Sequence, residues 1–248
     1  MEVPGAVACV GALARLRPLL AADGLGLGIA RVGEPRSGPA GPAEASAAAS
    51  MAANRRREFL AGRHAARRAL RAVGADCGEI PRAGRLPVFA PGRTASISHS
   101  AGIAVAVARG PGEDAPVGCD LELRPLPYGA ARLVLRADEE RLLDTAAGPE
   151  GAPWPLTNLF SAKEAGWKAL YLAVGQDTAA SMRTLRDLWA APCGDGFRIG
   201  LRADPAYAVR VRALTLDAGV FSYVTGWAGP VPPPADRMRG AHSADTAG

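Results

Sequence analysis

Asp120 and Glu122 stand two residues apart in Val117-Gly118-Cys119-Asp120-Leu121-Glu122, and Glu164 and Lys168 stand four apart in Phe160-Ser161-Ala162-Lys163-Glu164-Ala165-Gly166-Trp167-Lys168. On a strand, side chains two apart leave the same face, so the oxygens of Asp120 and Glu122 can converge on one point. Like charges that close repel unless a cation lies between them. Hard oxygen ligands completed by water suit Mg²⁺. Taken alone, an acidic alternation of this kind is more often a strand face turned to water.

Glu164 shifts that balance. On a helix predicted over Leu156 to Val174, the apolar stripe runs through Leu156, Phe160, Trp167, Leu170 and Tyr171, with Glu164 between Phe160 and Trp167. A carboxylate among large apolar side chains is costly without a cationic or hydrogen-bonding partner. Ser161-x-x-Glu164 also matches a capping box, but the helical spacing already continues upstream from Leu156. Lys163 and Lys168 are the only lysines, and every other one of the 29 basic residues is arginine. An ammonium is a compact charge with a removable proton, suited to a phosphate oxygen or to acid–base work. Lys168 lies one helical turn from Glu164, within pairing reach, and a phosphate held between them is the sharper reading.

Ser98 and His99 are expected in a loop just before a strand, where a hydroxyl, an amide and an imidazole together suit a phosphate or a ribose. Adjacent residues of an extended chain point apart, so they cannot form a nucleophile–base pair.

The elements that must position these groups follow from pattern. Strands are predicted over Leu25 to Val32, Ile103 to Ala108, Val117 to Leu123, Phe197 to Leu201, Tyr207 to Leu216 and Phe221 to Trp227. Helices are predicted over Asn54 to Val73, stopped by Gly74, over Tyr128 to Thr145, and over the lysine-bearing segment. Glu34 to Ser50, rich in Pro, Gly, Ala and Ser, reads as a loop running into a helix start. The inward face of the strand at 117–123 is either Val117, Cys119, Leu121 and Leu123 or the opposite set with Asp120 and Glu122. The two halves repeat a pattern of strand, helix and strands, joined near Gly110 to Pro116. This divides the chain into 1–112, 113–229 and a tail, 230–248, whose Pro, Gly, Ala and Asp predict disorder.

A chain of 248 residues with 48% hydrophobic and 21% charged residues is globular. Arg15, Arg17 and Pro18 interrupt the first apolar stretch, so neither a signal peptide nor a membrane span is expected, and the expected compartment is the cytoplasm. Cys9, Cys77, Cys119 and Cys193 form no Cys-x-x-Cys pair, which argues against a zinc site and a disulfide framework. A net charge of +5 favours polyanionic partners without choosing among them.

Together, Phe59-Leu60-Ala61-Gly62-Arg63, Ser96-Ile97-Ser98-His99-Ser100, Val117 to Glu122 and Phe160 to Glu164 with Lys168-Ala169, in that order and spacing, resemble the 4′-phosphopantetheinyl transferases of the surfactin/enterobactin-synthase type. The sequence departs from that pattern at Ala95 and at Phe89-Ala90, where the family often has Gly and Trp-Pro. The resemblance implies an α+β monomer of two similar halves related by a pseudo-twofold axis, clasping coenzyme A at their junction with Mg²⁺, Mn²⁺ being a possible substitute. It implies transfer of the phosphopantetheine arm to a serine of an acyl, peptidyl or aryl carrier protein, with release of adenosine 3′,5′-bisphosphate. It implies that Asp120, Glu122 and Glu164 hold the metal, that Lys168 binds a phosphate oxygen, and that Glu164 is the base. It places Ser98, His99, Arg63, Lys163 and either Arg57 or Arg85 on the coenzyme. Neither nucleic acid nor a membrane is an implied partner, and the motifs lean toward polyketide, nonribosomal peptide or siderophore synthesis.

Two other readings remain open at this level. Arg55-Arg56-Arg57 with Arg63, Arg67, Arg68 and Arg71 on one helix suits nucleic acid, and the same metal site suits a nucleotide pyrophosphohydrolase.

Overall fold

Two antiparallel sheets lie edge to edge, each backed by one long helix, in the computed structural model, which describes residues 4–35, 38–112, 115–144, 148 and 152–229. The first part of the chain runs α1 (Pro4–Arg15), α2 (Arg17–Ala22), β1 (Leu25–Arg31), α3 (Pro42–Ala49), α4 (Ala53–Ala72), β2 (Arg82–Ala83), β3 (Leu86–Pro87), β4 (Thr94–Ser100) and β5 (Ile103–Arg109). The second runs β6 (Cys119–Glu122), α5 (Ala131–Val134), α6 (Ala137–Glu140), α7 (Leu156–Ala173), α8 (Gln176–Ser181), β7 (Leu188–Cys193), β8 (Gly196–Leu201), β9 (Ala208–Leu216) and β10 (Gly219–Trp227). The small sheet has the order β1-β5-β4 and the large one β6-β10-β9-β8-β7, with β2 and β3 forming a separate hairpin. The chain is therefore α+β.

The alternation of β5 explains how one strand serves two cores. Ala104, Ala106 and Ala108 pack on the alanine-rich stripe of α4, through Ala61, Ala65, Ala66 and Ala69. Ile103, Val105 and Val107 face the other way, into a core shared with Cys9, Leu13 and Leu20 of the N-terminal helices and with Cys119, Leu121, Phe221 and Tyr223 of the large sheet. A third core joins α7 to β7–β10 through Leu159, Ala162, Leu170, Phe197 and Val209. Full burial of a residue such as Phe221 contributes about 1.5–3 kcal/mol, and the shared core thus binds the sheets into one body.

Small residues bring each helix unusually near its strand. A Cβ on Gly28 would lie 1.9 Å from the Ala65 carbonyl oxygen of α4, and one on Gly118 would lie 2.0 Å from the Ala165 carbonyl oxygen of α7. No side chain fits at either place.

Several expected elements differ. Ser98 and His99 lie within β4, not in a loop, because the alternation of Ala95 and Ile97 with Ser96 and Ser98 puts one set against α4 and the other along the sheet edge. The segment Glu34 to Ser50 contains α3, held by the buried Glu44. The single helix expected over Tyr128 to Thr145 is broken into short turns around α5 and α6, since Leu135 adopts an extended backbone, and Thr145 lies outside the described residues. The tail at 230–248 also lies outside them. The inward set of β6 is Cys119 and Leu121, which leaves Asp120 and Glu122 on the α7 side. No helix among the described residues is long and apolar enough to cross a membrane.

Candidate active site

β4 and β6 are the facing edges of the two sheets and are in contact without a backbone ladder. Ser98 of β4 donates its hydroxyl to Asp120 Oδ1 at 2.9 Å. Lys168 reaches the same oxygen from α7, also at 2.9 Å, and donates to the Cys119 carbonyl at 3.1 Å and to Ser98 Oγ at 3.4 Å. Three separated motifs therefore meet at one carboxylate. The close approach at Gly118 makes this possible, because it lets α7 lie against β6 one residue from Glu164 and one turn from Lys168.

Asp120 is 3% exposed, and its Oδ2 is buried without a hydrogen-bond partner among the described residues. Burial and then the neighbouring charge of Asp120 push the Glu122 carboxyl up to about 7, with Glu164 adding and Lys168 opposing. Glu164 is raised as well, first by burial and then by Asp120, against the pull of Lys168. For Lys168 burial opposes the charge, but Asp120 and Glu164 more than offset it and hold the ammonium protonated. The site is acidic and desolvated, with the Lys168 ammonium inside it.

Among the described residues no three His, Cys, Asp or Glu side chains are gathered into a metal cage. The Lys168 ammonium pairs with Asp120, and Glu122 and Glu164 stand near enough to Asp120 for its charge to raise both of them.

Beside this carboxylate opens a cleft of about 570 Å³ lined by Arg55, Arg63, Arg82, Arg85, His99 and Lys168, with Glu58 the sole carboxylate among its described lining residues. Phe59, Ile97, Leu86 and Pro87 supply apolar wall, and Trp167 and Tyr171 stack at 4.7 Å along one side. The β2–β3 hairpin, turned at Gly84 with φ +58°, carries Arg82 and Arg85 over the cleft. Arg63 is fixed from behind by donating Nε to the Ile80 carbonyl at 2.8 Å and by lying over the Phe59 ring, and burial lowers it to about 10. Arg55 Nη1 lies 3.0 Å from His99 Nε2. Since guanidinium only donates, Nε2 accepts and the imidazole is neutral. The cleft walls, and then Arg55 and Lys168 against Glu58, keep His99 below its usual range.

Of the residues expected on a coenzyme, Arg63, Arg85, His99 and Lys168 line this cleft, and Ser98 lies beside it on Asp120. Two do not fit. Arg57 pairs with Asn54 and lies outside the cleft lining, because the cleft face of α4 is set by Arg55, Phe59, Gly62 and Arg63 at spacings of three and four, and position 57 falls off it. Lys163 is fully buried in the core: its Nζ meets Glu139 Oε1 at 2.7 Å and the carbonyls of Val134 and Leu188 at 2.9 and 3.2 Å. The helix turns Lys163 and Lys168 to different sides. Glu164 is half-buried beside the main core stripe of α7, which runs through Leu159, Ala162, Ala165, Ala169 and Leu170 rather than through Trp167 and Tyr171. Sequence reasoning missed Arg55 and Arg82, and the only signal for Arg55 was its helical phase with Arg63.

Three of the seven arginines in the stripe proposed for nucleic acid are engaged within the protein. Arg67 pairs with buried Glu44 at 2.6 Å, Arg68 pairs with Glu34 at 2.6 Å, and Arg63 is bound to backbone carbonyls.

Comparison with known proteins agrees with the motif order. The profile of the 4′-phosphopantetheinyl transferase N-terminal domain matches residues 43–109, and that of the 4′-phosphopantetheinyl transferase superfamily matches residues 116–214. The chain belongs to the 4′-phosphopantetheinyl transferase superfamily. It is similar to enterobactin synthase component D of Salmonella typhi, with 38% identity over 125 residues, 48% of this chain and 50% of the relative. The same protein of Salmonella typhimurium strain LT2 is 37% identical over 125 residues with the same coverage. The chain thus matches about half the length of these curated relatives.

Proposed function

We propose that this protein transfers the 4′-phosphopantetheine group of coenzyme A to a serine hydroxyl of an apo carrier protein and releases adenosine 3′,5′-bisphosphate. The observation that carries the reading is a cation-lined cleft that ends on the Asp120–Lys168–Ser98 cluster, with Glu122 and Glu164 beside it. Such a cleft suits a ligand with a phosphate at one end and a reacting pyrophosphate at the other.

The donor set fits a divalent cation. Asp120 Oδ2 is a buried oxygen without a donor among the described residues, and Glu122 and Glu164 are held up by burial and by the charge of Asp120. Mg²⁺ typically takes one or two protein carboxylates and completes its shell with water and substrate phosphates, so a preformed cage is not required. Asp120, Glu122 and Glu164 would hold it, with Mn²⁺ as a substitute. When bound, the ion would neutralise charge developing on the pyrophosphate.

In this reading Arg55, Arg63, Arg82, Arg85 and His99 bind and orient the 3′-phosphoadenosine part. The serine oxygen bonds to the β-phosphorus, the bond from that phosphorus to the bridging oxygen breaks, and the leaving bisphosphate keeps the electron pair. Glu164, its carboxyl already raised, accepts the serine proton. Lys168 holds its proton and offers charge to a non-bridging phosphate oxygen while Asp120 anchors it.

The halves 1–112 and 113–229 are read as related by a pseudo-twofold axis. Supporting this, each has a glycine against its long helix, Gly28 on Ala65 and Gly118 on Ala165. Each also has a buried glutamate on a short preceding helix that accepts from a cation of the long helix and from a backbone amide. These are Glu44 with Arg67 and the Ile80 amide, and Glu139 with Lys163 and the Ala190 amide. We assign the protein as a cytoplasmic monomer that activates carriers of polyketide, nonribosomal peptide or siderophore synthesis.

The test follows nucleotide release. With coenzyme A, Mg²⁺ and an apo carrier, adenosine 3′,5′-bisphosphate should accumulate in step with carrier consumed. Release without a carrier would instead support hydrolysis.

A further inference from the structure

The motif Ser96-Ile97-Ser98-His99-Ser100 carries two serines that the proposed reaction does not use. Ser96 Oγ accepts the Cys119 amide at 3.0 Å, and Ser100 Oγ accepts the Leu123 amide at 3.1 Å. The Cys119 thiol returns a bond to the Ser96 carbonyl at 3.3 Å. β4 and β6 are edges that exchange no ladder, so these amides of β6 would otherwise go without a partner on that side, and a buried amide is costly to leave unpaired. The hydroxyls replace the ladder.

Their positions relative to the carboxylates matter. Cys119 lies immediately before Asp120 and Leu123 immediately after Glu122, so the two bonds bracket the acidic pair from both ends, and Ser98 between them bonds the Asp120 side chain itself. On its other edge β6 is fixed by its ladder to β10, with Glu122 opposite Val220 and Asp120 opposite Ser222. The strand and the residue that follows it are therefore pinned from both sides.

We infer that Ser96 and Ser100 are positioning residues that set the register of β6 against β4 and so fix where the Asp120 and Glu122 carboxylates stand toward a divalent cation. This deepens the proposed transferase reading and rests on it. A hydroxyl is suited to the task because it reaches across where the two edges form no ladder and accepts an amide without adding charge beside the two carboxylates.

The test compares the full chain with Ser100→Ala, Ser100→Thr and Ser96→Ala. Mn²⁺ binding in the presence of coenzyme A is measured by electron paramagnetic resonance, amide hydrogen exchange of residues 117–123 by mass spectrometry, and transfer kinetics on an apo carrier. Ser100→Ala should bind Mn²⁺ about tenfold more weakly, exchange faster at 117–123 by about the same factor, and lose kcat with the KM for coenzyme A within twofold of the parent. Ser100→Thr, which keeps the hydroxyl, should recover most of the Mn²⁺ affinity. Faster exchange in Ser100→Ala with unchanged Mn²⁺ affinity would reduce the serines to structural fasteners and overturn the inference. Should Ser100→Ala fail to fold, Ser96→Ala must show the same weakened Mn²⁺ binding, and parental affinity there overturns it equally. Absence of transfer by the parent protein would count against the proposed function alone, because the Mn²⁺ measurement needs no carrier.

Discussion

Lys168 Nζ and Asp120 Oδ1 meet at 2.9 Å across the contact between α7 and β6, and they do so with unequal burial: the lysine side chain is 25% exposed and the aspartate 4%. That inequality sets which partner the protein can lose. Lys168→Met leaves a buried carboxylate with one oxygen already unpartnered, whereas Asp120→Asn leaves an ammonium that can turn to water. We expect Lys168→Met to lower stability by roughly 2–4 kcal/mol and Asp120→Asn by no more than about 1. Both should reduce transfer by a factor on the order of 100 or more. Urea denaturation alongside transfer rates checks the pair, and equal destabilisation would contradict the asymmetry.

Lys163 should behave oppositely. It is fully buried with Glu139, which also accepts from the Ala190 amide and pairs with Arg202 at 3.0 Å. Truncation to Ala removes one of the two cations on this buried carboxylate and leaves a cavity where the lysine stem lay, at a cost of about 2–5 kcal/mol. The fraction that remains folded at low temperature should bind coenzyme A with parental affinity, as read by calorimetry. A selective loss of coenzyme affinity would return Lys163 to the binding set.

Gly118→Ala tests how α7 is brought to β6. Its Cβ would stand 2.0 Å from the Ala165 carbonyl oxygen, so helix or strand must move. Overpacking of this kind costs about 1–3 kcal/mol. The shift should also separate Lys168 from Asp120, so activity should fall further than stability explains. A thermal melt and a kcat for the folded variant separate the two effects.

A pH dependence follows from Glu122, held at about 7 against an ordinary 4.5. Its native state binds the proton more tightly than the unfolded chain does, so without divalent ions stability falls as pH rises from about 4.5 through 7. For a half-buried group the loss, discounted for solvent screening, is on the order of 1–2 kcal/mol. Glu122→Gln should match the parent near pH 4.5 and exceed it at pH 8, and Mg²⁺ should stabilise the parent at pH 8 but not the variant. Parallel melting curves across this range would refute the assignment.

Much of the candidate site's geometry was legible in the residues because it was written in local patterns. The two-residue spacing of Asp120 and Glu122 put both on one face, and the scarcity of lysine among arginines drew attention to Lys168, which pairs with Asp120. What the pattern did not contain was direction. Lys163 and Lys168 differ by five residues, and which of them faces the cleft depends on where Glu139 sits, 24 residues away in sequence on α6. Arg55 and Arg57 posed the same problem in helical phase. β4 escaped notice because Ser98 and His99 read as loop residues ahead of a strand, although the neighbouring serine hydroxyls serve the facing edge strand, a partner set only by tertiary packing. The helix expected over Tyr128 to Thr145 had adequate local propensity, and the extended backbone at Leu135 overrode it.

The central claim concerns where the phosphopantetheine goes, and the intact mass of an apo carrier protein reads it directly. After incubation with the protein, coenzyme A and Mg²⁺, the carrier should gain one phosphopantetheine group, and neither a carrier with its acceptor serine changed to alanine nor a reaction with Asp120→Ala enzyme should gain any. An unmodified carrier beside freely released phosphopantetheine would contradict the account.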